Sequence, residues 1–163
     1  MSGAEAGQYV TFGLGDEVFA APVALVREIL NYQEPFKIPN GPAYLLGLTD
    51  VRGRGVPTAD LRIRLGMAPA EPTLNTRILV LDVPLADRTL SLGLVADRVF
   101  EVTPFTPEQI EPAPDIGVTW RSEYISGVVR RSEGFVVLID LPRLMSTTDA
   151  ASFAALADVD RAA

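Results

Sequence analysis

The chain has 163 residues, 48% of them apolar, with a formal net charge of −7 and neither histidine nor cysteine. That length and apolar content are enough for one folded domain with a real core. The charge and the two missing residue types exclude disulfides, thiolate chemistry, histidine general bases and a basic track for a nucleic-acid backbone.

Residues 1–8 are small and polar and read as a disordered lead-in with neither the basic start nor the long apolar stretch of a secretory signal. Tyr9–Leu14 alternates apolar and polar residues, Gly15–Glu17 is a turn and Val18–Ala21 begins a second strand, so the three predict a hairpin. Pro22 suits the first position of a helix, and Val23, Val26, Ile29 and Leu30 follow at helical spacing. The expectation there is a short amphipathic helix ending near Asn31, with Glu28 on its polar side.

Phe36–Tyr44 is a loop punctuated by proline and glycine. Leu45–Val51 and Val56–Leu61 read as strands around a charged glycine turn, Arg52-Gly53-Arg54-Gly55, and Leu61–Gly66 as a closing helical turn. On pattern alone Arg52 is either a docking residue at a hairpin tip or a solvated turn residue. Asp60 and Arg62 share a face at period two and are expected to take part in a structural ion pair. Met67–Asn75 has two prolines and no periodicity, and is taken as the boundary between two halves.

Thr76–Val83 reads as a buried strand, Pro84–Arg88 as a turn, and Leu90–Ala96 and Val99–Thr103 as strands broken at Asp97-Arg98. Thr106–Ile110 predicts one helical turn with Pro107 at its first position. After a proline-containing loop over Glu111–Thr119, Tyr124–Val129 and Phe135–Leu141 predict a hairpin, and Asp149–Arg161 an alanine-rich helix with Phe153 and Leu156 on one stripe. The lone Trp120 reads equally as a core plug or an interface anchor. Many short strands with brief helices indicate an all-β barrel or sandwich with no evident sequence repeat.

No constellation looks like chemistry. Gly13-Leu-Gly15 and Gly53-Arg-Gly55 lack the spacing and the following helix of a phosphate loop. Asp82, Asp87, Asp97 and Glu101 lack the spacing of a calcium loop and read as solvated carboxylates. A carboxylate-based hydrolase has only the supply of Asp and Glu in its favour. No catalytic, cofactor or metal residues are assigned.

Taken together, the motifs resemble the CheW family of bacterial chemotaxis coupling proteins. The resemblance runs from about Tyr9 to Met145. It is carried by Phe12-Gly-Leu-Gly-Asp-Glu, Ile38-Pro-Asn-Gly-Pro, Leu46-Gly-Leu-Thr-Asp-Val-Arg-Gly, Val56-Pro-Thr-Ala-Asp-Leu-Arg, Leu92-Gly-Leu-Val-Ala-Asp-Arg-Val, Thr106-Pro-Glu-Gln-Ile-Glu-Pro-Ala-Pro, Tyr124-Ile-Ser-Gly-Val and Phe135-Val-Val-Leu-Ile-Asp-Leu-Pro-Arg-Leu-Met, in that order.

The resemblance implies two packed five-stranded SH3-like β-barrels over residues 9–146, exchanging near 67–75, followed by a C-terminal helix over 147–163. It implies a non-catalytic adaptor in the cytoplasm, associated with membrane-attached receptor arrays but not itself inserted. Its implied partners are the cytoplasmic tip of methyl-accepting chemoreceptors and the regulatory domain of a CheA-type histidine kinase. The family's receptor-facing arginine falls on Arg52, followed by Gly53, in a motif that here reads Asp50-Val51-Arg52-Gly53 where the family has asparagine first. Asp50 is expected to pair with the arginine and blunt it. Val26 and Glu28 fall where the family's first helix meets its receptor groove, while kinase-binding residues stay unassigned. The departures at Asp50 and Arg54-Gly55 leave open a scaffold of a divergent pathway, serving pili or development, that binds the kinase and not standard receptors.

Overall fold

The structure is a computed structural model that describes residues 7–39, 41–112, 124–132 and 134–145. The disordered lead-in, Trp120 and the helix expected over Asp149–Arg161 therefore fall wholly or mainly outside the described residues. In chain order the elements are β1 (Gly7–Leu14), β2 (Glu17–Pro22), β3 (Val26–Asn31), β4 (Leu45–Val51), β5 (Arg54–Asp60) and α1 (Leu61–Arg64). Then come β6 (Arg77–Pro84), β7 (Thr89–Ala96), β8 (Arg98–Phe105), β9 (Ile110–Glu111), β10 (Ile125–Arg131), β11 (Gly134–Ile139) and α2 (Leu141–Leu144).

Two sheets contain the strands of the described residues. One runs β8-β1-β2-β11-β10-β9, the other β3-β6-β7-β5-β4. Each curls until one stretch of chain touches both of its edges. After β3 pairs with β6, Phe36 bridges to Leu48 on β4, with N–H···O distances of 2.8 and 2.9 Å. After β8 pairs with β1, the chain turns through Pro107–Gln109 and β9 pairs with β10. Closure of this kind covers part of each sheet edge against a stray strand. Gly47, opposite Phe36, is required at φ +142°, because a Cβ there would sit 1.8 Å from the Phe36 carbonyl oxygen.

The same six-element plan occurs twice. In each half a hairpin (β1–β2 or β6–β7) is followed by an edge strand (β3 or β8) that joins the other sheet. A second hairpin (β4–β5 or β10–β11) and a one-turn helix complete the half. Tyr44 and Tyr124 are equivalent, since their carbonyls accept from the N–H of Asp60 and Asp140 respectively. Gly47 and Gly127 sit at the same register shift, and Asp60 and Asp140 cap α1 and α2. Val26-Arg-Glu-Ile and Val99-Phe-Glu-Val carry matching irregularities in β3 and β8. A repeat is thus present that the sequence alone does not make evident, because only a few fixed positions survive in it.

One expectation is corrected here. The stretch Val23–Leu30 is not an amphipathic helix. Only Val23–Leu25 makes a 3-10 turn, and Val26–Asn31 is a strand whose residues alternate half-buried and exposed. Val26 and Leu30, four apart, share a face in a helix and in a strand alike, and β-branched residues favour the extended choice once an edge is there to pair with, which leaves Ile29 on the exposed face. The chain crosses between sheets at Pro22–Val26 and at Ala96–Arg98, while α1 and β6, on either side of Met67–Asn75, serve the same sheet.

The core is layered accordingly. The largest cluster lies between the sheets, joining Phe12, Leu14 and Phe19 to Leu79, Leu81, Leu92 and Leu94. Smaller clusters fill each barrel, Tyr9, Phe105, Val136 and Leu138 in one and Val51, Val56, Ile78 and Val80 in the other. β6 is buried on both faces, which is why Ile78–Leu81 is an unbroken apolar run.

Candidate functional site

The turn between β4 and β5 is two residues long, Arg52 and Gly53, with φ of +53° and +82°. Positive φ at both central positions is the turn geometry that matches the twist of paired strands. Gly53 meets it freely, and a Cβ at that position would have nothing within 4 Å. Arg52 meets it at a cost of roughly 1–2 kcal/mol for a left-handed non-glycine residue. Asp50 holds the turn: its Oδ1 accepts from the Gly53 N–H at 2.9 Å, and its carbonyl accepts from the Gln33 side chain at 3.3 Å. Asp50 is therefore a turn-former, and the expectation that it would pair with the Arg52 guanidinium is corrected.

The partner of Arg52 is Glu28. Nε donates to Oε2 at 3.2 Å and Nη2 to Oε1 at 3.4 Å, a two-pronged contact from the hairpin tip to β3. The arginine side chain remains 81% exposed while the glutamate is 21% exposed. Glu28 thus steers a guanidinium whose outer face stays open. Val26, two residues earlier, is half-buried and packs on the shared core, so it supports β3 from inside.

Around this pair lies a groove of about 740 Å³, bordered by Arg27, Glu28, Arg52, Arg54, Asp87, Arg88 and the backbone of Gly55–Pro57. Four arginines against two carboxylates make it a basic patch on an acidic chain. Arg27 reaches Asp82 at 3.6 Å and Arg88 reaches Asp87 at 3.3 Å, both well exposed. The Arg88 guanidinium beside Asp87 holds that carboxyl below its ordinary range. Arg27 and Arg88 escape a sequence reading because one lies in a strand that mimics a helix and the other in a plain turn.

A second ionic cluster has a structural task. Arg62 donates from Nη2 to Asp97 Oδ2 at 2.7 Å, and Asp97 also accepts from the Gly15 N–H at 2.6 Å. The Arg62 hydrogen bond is the main reason the Asp97 carboxyl lies below its usual range. Asp60 accepts from the Arg62 backbone N–H at the start of α1, and burial pushes its carboxyl up. The ion pair expected for Arg62 is thus made with Asp97, which ties the β1–β2 turn and the β7–β8 crossing to α1. Asp82 accepts from the Ser91 hydroxyl at 2.7 Å. These carboxylates are spent on arginine, hydroxyl and backbone partners.

Residues 8–149 match the family model described as "CheW-like domain". The chain belongs to the CheW-like family. A probable chemotaxis protein CheW of Rhizobium etli is 34% identical over 142 residues, covering 87% of this chain and 89% of that one. The chemotaxis protein CheW of Klebsiella aerogenes is 34% identical over 152 residues, covering 93% and 89%. Among solved structures, the scaffolding protein TtCheW of Thermoanaerobacter tengcongensis superposes with a TM-score of 0.77 at 25% identity, over 90% of this chain and 92% of that one.

As a CheW-like protein the chain is a non-catalytic scaffold adaptor with the two-subdomain fold of that family. Among the described residues no helix is long and apolar enough to cross a membrane. Within this fold, Arg52, Gly53, Asp50 and Glu28 come together at one hairpin tip, while Val26 lies beneath them. The outer faces of β3 and β8 also expose Ile29, Phe100 and Val102. Ile29 and Val102 occupy equivalent places in the two halves, a relation visible only once the repeat is.

Proposed function

We propose that this chain couples the cytoplasmic tip of chemoreceptors to the regulatory domain of a CheA-type histidine kinase, and that Arg52 is its principal receptor contact. The observation that carries the reading is the open guanidinium at a rigid two-residue turn, aimed by Glu28 and set in a basic groove. Such a group fits a carboxylate or carbonyl-rich helical tip, since arginine makes planar two-pronged contacts and keeps its charge. Membership of the family supports the choice of partners. Coupling then consists of binding receptor and kinase with affinities that differ between signalling states.

The test is a binding titration of the purified chain against a receptor-tip fragment and, separately, against the kinase regulatory domain. The reading expects both to bind, with Arg52→Ala weakening the receptor arm by about 1–3 kcal/mol, the range for a central interface arginine. Kinase binding without receptor binding would assign the chain to a scaffold of a divergent pathway, a reading favoured by the extra Arg54-Gly55. An unchanged receptor affinity in the variant would remove Arg52 from the contact.

A further inference from the structure

The two halves differ at one seam. Val136 and Val137 of β11 pair with Val18 and Phe19 of β2. Their counterparts on β5 are Val56 and Pro57, since each couple lies nine and ten residues after the matching glycine, Gly127 or Gly47. Val56 and Pro57 make no ladder pair with β7. The β5–β7 ladder begins only at Thr58 opposite Gly93, and Pro57 has no N–H with which to extend it toward the turns. β5 and β7 therefore part before their turns, and the basic groove of about 740 Å³ opens between them.

The floor and the rim of this groove differ in kind. Val51, Val56 and Leu90, all buried and apolar, form the floor with Pro57. Arg54 stands opposite Val51 in the β4–β5 register and two residues before Val56. Strand alternation places these three on one face, at the mouth of the barrel that Val51 and Val56 help to fill. The arginines of the rim are not equivalent. Arg27, Arg52 and Arg88 each have a carboxylate, from Asp82, Glu28 and Asp87 respectively. Among the described residues Arg54 makes no ion pair, and it is exposed. Three pairs cancel, so the surplus positive charge of the groove is that of Arg54. A guanidinium keeps its charge beside an apolar surface and attracts an anion more strongly as water is displaced from around it.

We infer that this groove takes an apolar side chain of the receptor tip onto Val51, Val56 and Leu90 together with two carboxylates, one bound by Arg52 and the other by Arg54. Arg54 is then a specificity residue, which selects tips with two acidic groups over tips with one. The inference rests on the reading of Arg52 as the receptor contact. The full chain is titrated with a receptor-tip fragment at about 0.05 M and about 0.5 M salt, where screening is weak and strong respectively. Parent, Arg52→Asn, Arg54→Leu and Arg54→Glu are compared. At low salt Arg54→Leu should bind about fivefold more weakly and Arg54→Glu more weakly still, with both gaps shrinking at high salt. Each Asp and Glu of the fragment is then replaced in turn by Asn or Gln. One replacement should weaken the parent and leave Arg54→Leu unmoved, and a different one should do the same for Arg52→Asn. Equal affinity of parent and Arg54→Glu, with Arg52→Asn still weakened, would overturn the inference and leave the receptor reading standing. Coupling of both arginines to a single acidic group would also overturn it. A parent that does not bind the fragment would overturn both. A loss in Arg54→Glu that falls on the kinase regulatory domain instead would overturn the inference by giving the groove to the kinase.

Discussion

Arg52 combines a local cost with an exposed charge, and the two separate experimentally. Asparagine tolerates left-handed backbone far better than most residues, so Arg52→Asn preserves the turn while removing the guanidinium. The exposed ion pair to Glu28 is worth no more than about 1 kcal/mol. Chemical denaturation is therefore expected to show a stability within about 1 kcal/mol of the parent, while receptor affinity drops as for alanine. A variant that unfolded instead would make Arg52 a structural residue. Asp97 behaves in the opposite way, because its carboxylate is committed to Arg62 and the Gly15 N–H. Charge-assisted hydrogen bonds of this kind contribute about 1.5–3 kcal/mol, and Asp97→Asn should lower stability by about 2 kcal/mol at neutral pH. Its folded-state ionisation lies below the ordinary range, so the stabilisation is present above the unfolded carboxyl value of about 3.9 and is lost as pH falls through the folded value. Denaturation curves of parent and variant measured from pH 7 downward should accordingly converge in acid, and a gap that persisted there would contradict the assignment.

At the scale of elements, barrel closure rests on backbone meeting backbone. Gly47→Ala forces a Cβ onto the Phe36 carbonyl at a φ that L residues rarely adopt. With strain of about 1–3 kcal/mol and overpacking of about 1–3 kcal/mol, the loss should be at least about 2 kcal/mol, read by thermal denaturation. A neutral substitution would mean that the Phe36–Leu48 bridge does not close the sheet. The strands themselves were mostly legible, since β4, β5, β6, β7, β10 and β11 follow runs of β-branched and aliphatic residues bounded by glycine, proline or charged turns. The stretch after Pro22 was not legible, because Val23, Val26, Ile29 and Leu30 fit the helical period better than the strand period and only pairing with β6 overrides it. The Arg52 tip could be read from its glycine turn. Its partner could not, since Glu28 is brought to it by the same misread strand.

For the whole molecule, the decisive arrangement is the exchange of hairpins between two halves. Each barrel is completed by strands from the other half, and Phe12, Leu79, Leu81 and Leu92 fill the layer between them. Neither half is therefore a free-standing unit, and Leu81→Ala, at 1% exposure, should destabilise the entire chain by about 2–5 kcal/mol in a single transition. Two separate unfolding steps by calorimetry would contradict a shared core. A body of this kind fixes the Arg52 tip relative to the rest of its surface, which the proposed binding of two partners requires. The central claim is met most directly by mixing the chain with the receptor-tip fragment and the kinase regulatory domain and measuring mass by sedimentation. The account predicts a ternary species that forms only when this chain is present and is weakened by Arg52→Asn. Sedimentation of all three as separate molecules would contradict it.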